Sequence, residues 1–306
     1  MHILITGGTG LIGRMLCKAL LAEGHELSVL SRDPASVQVK CGAGVHAMAS
    51  LGEWHPGNVF DAVINLAGEP IADARWTARR KQLLWESRVT LTRELVMHIV
   101  TAGHKPAVLL SGSAVGYYGN RGDAALDEAA NAGEDFAAQL CKAWEDAALA
   151  ATQVGVRVCL LRTGLVLSND GGLLGRMLPP FKLGLGTRLG DGKQWMSWVH
   201  IDDYVAMLLR LLHDDQAGGP YNMTAPQPST NTEFTVTLAK VLHRPAFFAA
   251  PALLLKLAMG ERASLLLEGQ KVLPGKITAS GYRFQFSHLS AALSDLLCKK
   301  NGGGRK

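Results

Sequence analysis

Apolar and polar positions along this chain fall into blocks of two lengths. Short apolar runs at His2 to Thr6, Leu27 to Leu30, Val59 to Ile64, Ala107 to Leu110 and Val156 to Leu161 have the length of buried strands. Longer amphipathic segments separate them. Leu16, Ala19 and Leu20 share one face of a helical stretch that follows the first run and ends at Gly24. Thr77 to Ala102 and Phe136 to Val154 are each long enough for the crossover helix that parallel strands require. Strand and helix alternate, so the first half predicts a doubly wound parallel α/β sheet.

After Leu167 the texture changes. SNDGG, LPPFKLGLG and GDGKQ make a Gly/Pro-rich stretch that cannot be regular sheet, and such a stretch usually borders a site. Asp202 is positioned to cap a helix bearing Val205, Leu208, Leu209 and Leu212, after which Gly218 to Met223 reads as a strand returning to the sheet. The remainder mixes helices with the irregular segment GQKVLPGKITASGYRF. The expected division is a nucleotide-binding domain at 1–167 plus 199–224, a smaller C-terminal substrate lobe at 168–198 plus 225–298, and a flexible basic tail at 299–306.

Composition narrows the class. At roughly 150 residues per domain, 306 residues allow about two, and 48% apolar with 19% charged residues excludes disorder. The five cysteines are scattered and never spaced C-x-x-C, which argues against a disulfide framework and for a reducing, cytoplasmic setting. Of the net charge of +5, Lys299, Lys300, Arg305 and Lys306 supply most, leaving a near-neutral body without the basic, aromatic face of a nucleic-acid binder. Even ALLLKLAMG is broken by Lys256, so no membrane span is expected. The amino-terminal apolar run has no basic flank and passes straight into glycines, unlike a secretory leader. No H-E-x-x-H or similar spacing predicts a metal. Nothing in the pattern sets an oligomeric state.

The first turn reads TGGTGLIG, with Gly7, Gly10 and Gly13 spaced three apart between strand and helix. There the glycines permit a tight turn, close approach of a pyrophosphate to backbone N–H groups, and helix-to-strand packing, which makes the fold Rossmann-type. The end of the second strand reports which dinucleotide is bound, because an acidic residue there accepts the ribose 2′-hydroxyl of NAD and repels a 2′-phosphate. Here the strand ends Ser31-Arg32, a hydroxyl and a guanidinium suited to phosphate, which favours NADP(H). Asp33 complicates this: were it at the strand tip, the preference would reverse.

TGGTGLIG, SRDP, NLAG (Asn65 to Gly68), SGSAVGYYG (Ser111 to Gly119), Lys142 and WVHIDD (Trp198 to Asp203) together resemble the extended short-chain dehydrogenase/reductase superfamily. More narrowly, NLAGEPI, the RWT and SRV segments and LLLEGQKVLPGKITASGYRF resemble its "epimerase family protein" subgroup, related to nucleoside-diphosphate-sugar epimerases. The resemblance implies Thr9, Gly10, Leu11 and Ile12 at the pyrophosphate, Ser31 and Arg32 at the 2′-phosphate, and Leu66 and Ala67 along the adenine-side ribose. It also implies Lys142 on the nicotinamide ribose and Val166 near the carboxamide. Arg88 stands where such enzymes usually carry Asn; it either reaches the cofactor phosphates or is a solvated helix arginine.

The same resemblance supplies a catalytic set and exposes a gap in it. Relatives use a Ser or Thr to orient a substrate oxygen, a Tyr as proton donor or acceptor, and a Lys four residues after the Tyr. Ser113 and Lys142 match the first and third, but position 138 is Ala and its methyl donates no proton. Tyr118 is the nearest candidate substitute, with Tyr117 the other. Ser113 lacks a G-x-S-x-G context, which disfavours a Ser–His–Asp hydrolase using His200 and Asp202; those two are better read as fixing a strand-to-helix turn. Trp195, Met196 and Trp198 either line a pocket or pack, and Arg162 pairs with an anionic substrate group or with a neighbour at the strand end. Two functions remain in view. One is an NADP(H)-dependent oxidoreductase or nucleotide-sugar epimerase-like enzyme that exchanges hydride with a small carbonyl compound or nucleotide sugar. The other is a catalytically weak or inactive NADP(H)-binding sensor or interaction protein.

Overall fold

The computed structural model describes residues 1–55 and 57–298; the basic tail expected at 299–306 lies outside the described residues. Among the described residues a seven-stranded sheet is built from His2–Thr6 (β1), Glu26–Leu30 (β2), His46–Met48 (β3), Ala62–Asn65 (β4), Val108–Ala114 (β5), Arg157–Thr163 (β6) and Gly219–Met223 (β7). All neighbours pair in parallel in the order β3-β2-β1-β4-β5-β6-β7. The order reverses between β1 and β4, which opens a crevice at the carboxyl ends of those two strands.

Alternation along β1 feeds both faces, because successive side chains of a strand point to opposite sides. Ile3 and Ile5 join Leu16, Cys17 and Leu20 of helix α1 (Leu11–Ala22) in one apolar cluster. Leu4 joins Val63, Leu109, Leu95, Val96 and Ile99 in another. The strands β5 and β6 run further than their apolar cores suggest, to Ala114 and Thr163. Ser111, Ser113 and Arg162 extend them as buried polar residues whose side chains find partners.

The segment from 77 to 102 is not one helix. Thr77 caps α2 (Ala78–Trp85), a π-helical turn occupies Glu86–Thr90, and α3 (Leu91–Thr101) follows. Such single π turns are frequent at functional sites. Phe136–Leu149 (α4) is capped by Asp135, whose carboxylate accepts from the Ala138 N–H at 2.8 Å, and it tightens into a 3-10 turn over Ala150–Val154.

Beyond β6, Leu165–Ser168 pairs in parallel with Trp198–His200. Between them lie α5 (Gly172–Lys182), which contains Pro179 and Pro180, and Thr187–Leu189, which pairs with Phe248–Ala250. The helix α6 (Ile201–His213) corrects one expectation: its cap is His200, whose ring accepts from the Asp202 N–H at 3.1 Å. Asp202 instead lies in the first turn, where a carboxylate favours the positive end of the helix dipole. Asp203, 1% exposed, receives the Tyr282 hydroxyl at 2.8 Å and the backbone N–H groups of Gln285 and Phe286, each at 2.9 Å. The carboxyl-terminal segment is thereby tied to α6. No described helix is long and apolar enough to cross a membrane.

Candidate functional site

Gly7 adopts φ +72°, and a Cβ there would lie 2.6 Å from the Leu66 carbonyl carbon. A Cβ on Gly13 would lie 2.3 Å from the Gly7 oxygen. Only glycine allows this loop to fold under itself against the next strand end. The first helical turn after it, Leu11 to Gly13, is uncharged and is preceded by Gly10, which has no side chain to offer as a cap. Its first N–H groups have no side-chain cap, and together with the positive end of the helix dipole they suit an anion.

A cleft of about 950 Å3 opens beside this loop. Gly7, Thr9 and Gly10 form one wall, Ser31 and Arg32 the rim beyond β2, and Leu66 and Ala67 the side beyond β4. Ser31 is the first residue past β2, and its hydroxyl accepts from the Asp33 N–H at 3.1 Å. Arg32 is 90% exposed and donates to Glu69 at 2.6 Å. Glu69 also lies 3.3 Å from Arg80, and the Arg32 guanidinium beside it holds its carboxyl below the usual carboxylate range. Glycine cradle, uncapped first-turn amides and Arg32 together fit a dinucleotide.

The NLAG loop rests on a buried polar frame. The Asn65 amide oxygen accepts from Thr6 Oγ1 at 2.6 Å, and its nitrogen donates to Thr92 Oγ1 at 2.7 Å. The Trp144 indole donates to the same Thr92 oxygen at 3.0 Å. From the π turn, Ser87 Oγ accepts from the Glu69 N–H at 3.1 Å and Arg88 donates to the Glu69 carbonyl at 2.8 Å. Arg88 also turns toward Leu84 O and Ser87 Oγ and lies over the Trp144 ring. Its guanidinium is thus spent beneath the loop, because a cation drawn from water takes the nearest acceptors.

Ser113 and Tyr118 meet in one buried network. Ser113 Oγ donates to Glu145 at 2.6 Å, and Glu145 accepts two bonds from Arg162, each 2.9 Å. Arg162 donates to the Tyr118 hydroxyl at 3.0 Å and the Glu128 carbonyl at 3.2 Å, with the Tyr117 ring 3.6 Å from its guanidinium carbon. The Tyr118 hydroxyl in turn donates to Asn222 at 2.6 Å. Tyr118 is fully enclosed, and burial pushes its hydroxyl up to about 12. Lys142 stands outside this network, exposed and 2.8 Å from Asp146. Ala138, one turn before it, is buried.

The remaining candidates divide between packing and rim. Trp198 and Met196 are buried in the apolar core, while the Trp195 indole donates to Asp123 at 2.9 Å. Val166 is half-buried on the short strand whose end leads to Gly171 and Gly172, against Leu11 of the glycine loop. His200 stacks on Phe286 at 3.9 Å. Sequence reasoning missed Glu69, Arg80, Glu145, Glu128 and Asn222. For Glu145 a signal existed: Ala138, Cys141, Glu145 and Ala148 share the buried stripe of α4, and a carboxylate there demands a partner.

Fold and loop define a Rossmann-type nucleotide-binding protein with a carboxyl-terminal extension. The chain belongs to the NAD dependent epimerase/dehydratase family, whose profile matches residues 3–224, and residues 250–296 match a domain of unknown function (DUF1731). It is 41% identical to an epimerase family protein of Mycobacterium bovis over 95% of this chain and 96% of that one. It is 38% identical to the chloroplastic SDR39U1 homolog of Arabidopsis thaliana, over 97% of this chain and 87% of the other. Among solved structures, the human epimerase family protein SDR39U1 with NADPH superposes with a TM-score of 0.87 at 35% identity, covering 97% of this chain and 99% of its own.

Proposed function

We propose that the protein binds NADP(H) in the cleft beside the glycine loop and exchanges hydride with a carbonyl compound or nucleotide sugar. The observation that carries this reading is the exposed Arg32 at the rim of a cleft walled on one side by Gly7 and Gly10. The human relative solved with NADPH supports the choice of dinucleotide. The bound nicotinamide supplies or takes the hydride. Thr9 to Ile12 hold the pyrophosphate through backbone N–H groups, Ser31 and Arg32 take the 2′-phosphate, and Leu66 and Ala67 flank the ribose. Lys142, with its ammonium at the surface, holds the nicotinamide ribose once it leaves Asp146, and Val166 abuts the carboxamide.

A second reading has its own observation. Ser113 and Tyr118, the groups expected to handle the substrate oxygen and its proton, are both bonded inside the Glu145–Arg162 network. Loss of a positioned acid typically costs 10²- to 10⁴-fold, which leaves either a slow enzyme or an NADP(H) sensor.

Nicotinamide fluorescence tests both readings. NADPH is expected to bind saturably and more tightly than NADH, and Arg32→Ala to weaken NADPH about tenfold or more while changing NADH little. Equal affinities in the parent protein refute the NADP(H) assignment. In a screen of carbonyls and nucleotide sugars, oxidation of bound NADPH supports the enzyme, and tight binding without turnover supports the sensor.

A further inference from the structure

The rule that reads dinucleotide preference from the tip of the second strand looks for a carboxylate there. In this protein that place holds Ser31, yet a carboxylate arrives by another route: Glu69, from the loop beyond β4, meets Arg32 at 2.6 Å and lines the same cleft. We propose that Glu69 tempers the preference for NADP(H), accepting the 2′-hydroxyl of an unphosphorylated adenine-side ribose and opposing a 2′-phosphate through competition for Arg32. The inference rests on the cofactor reading above and adds the residue that limits its selectivity.

The argument turns on which partner of the ion pair is free to move. Glu69 is fixed at every polar atom: its N–H by Ser87, its carbonyl by Arg88, and its carboxylate by Arg80 as well as Arg32. Arg80 also donates to the carbonyl of Pro70 at 2.5 Å, so the following residue is pinned too. Glu69 and Arg80 are 20% and 14% exposed, whereas Arg32 is 90% exposed. Arriving phosphate can therefore recruit Arg32 by swinging it, but it cannot send the carboxylate away. Glu69 remains as a fixed negative charge beside a dianion, neutralised in part by Arg80. Of the other charged groups lining this cleft, Lys40 favours phosphate, while Asp33, Glu86 and Glu94 add to the opposition. For a ribose bearing only a hydroxyl, the same carboxylate is a ready acceptor.

The signature is a divergence that loss of a merely structural glutamate does not produce. Glu69→Gln keeps the size and a neutral acceptor but removes the charge. It is expected to tighten NADPH about tenfold, since a like charge near the phosphate is gone and Arg32 loses its charged rival partner, and to weaken NADH by about threefold. The fragments 2′,5′-ADP and ADP, which lack the nicotinamide half, are expected to diverge in the same directions. Dissociation constants for all four ligands, with circular dichroism to verify folding and Glu69→Ala as a second variant, make the test. If both dinucleotides weaken by the same factor, or neither changes, Glu69 is a loop anchor and the proposal is overturned while NADP(H) binding stands. If the parent protein binds neither dinucleotide, the cofactor reading falls and this one with it.

Discussion

Arg162 carries a full charge at a site only 3% exposed, which its partners alone make tolerable. Glu145 gives it two parallel bonds, and the Tyr118 hydroxyl and Glu128 carbonyl accept two more. Removing one member strands the other's charge in the interior. Arg162→Met is therefore expected to lower stability by about 3–5 kcal/mol in urea denaturation, and Arg162→Met with Glu145→Leu to recover most of that loss. A loss below about 1 kcal/mol for the single change would mean that water reaches the pair. Residue identity made Arg162 visible in the sequence as a charge at a strand end. Its pairing, with a substrate or with a neighbour, is not legible in the sequence, because the partner sits 17 residues away on α4.

Between residue and fold, the π turn and the Asp203 anchor explain how local segments are set. The segment 77–102 reads as one amphipathic helix because Leu84 before the π turn, Val89 within it and Leu95, Val96 and Ile99 after it all look apolar. They enter two different clusters, since the inserted turn rotates the later face. Hydrophobic periodicity records that a face is buried, not which neighbour buries it. The anchor shows the same limit: WVHIDD suggested a capped helix start, but which of its polar residues caps it and which ties down 282–286 depended on a segment some 80 residues later. Asp203→Ala leaves the Gln285 and Phe286 N–H groups without their acceptor. It is expected to cost about 2–4 kcal/mol and to admit protease between 280 and 290 under conditions where the parent chain resists. Unchanged cleavage would show that apolar packing alone holds this segment.

Over the whole molecule, buried hydroxyls couple stability to alkaline pH. Burial pushes Tyr118 and Tyr204 each up to about 12, from an ordinary value near 10. A raised folded-state value means that the neutral form is favoured on folding. The contribution is therefore complete below about pH 10 and is lost as pH rises through 12. Melting temperature is expected to fall steeply between pH 10 and 12, and Tyr118→Phe to flatten that fall. Equal slopes for parent and variant would locate the alkaline sensitivity elsewhere.

What the chain determined by itself is local and short in range. Alternating apolar runs gave the strands and crossover helices of a doubly wound sheet; glycines three apart gave the loop between β1 and α1; Ser31-Arg32 marked the rim where the cleft opens. Each follows from neighbouring residues, because backbone conformation and side-chain periodicity are set within a few positions. Tertiary structure decided what faces those features. It brought Glu69 to Arg32 across 37 positions, Tyr118 to Asn222 across 104, and Ser113 to Glu145 across 32. Charges and hydrogen-bonding groups act over a few ångströms, and only the folded arrangement of strand ends determines which of them lie that close.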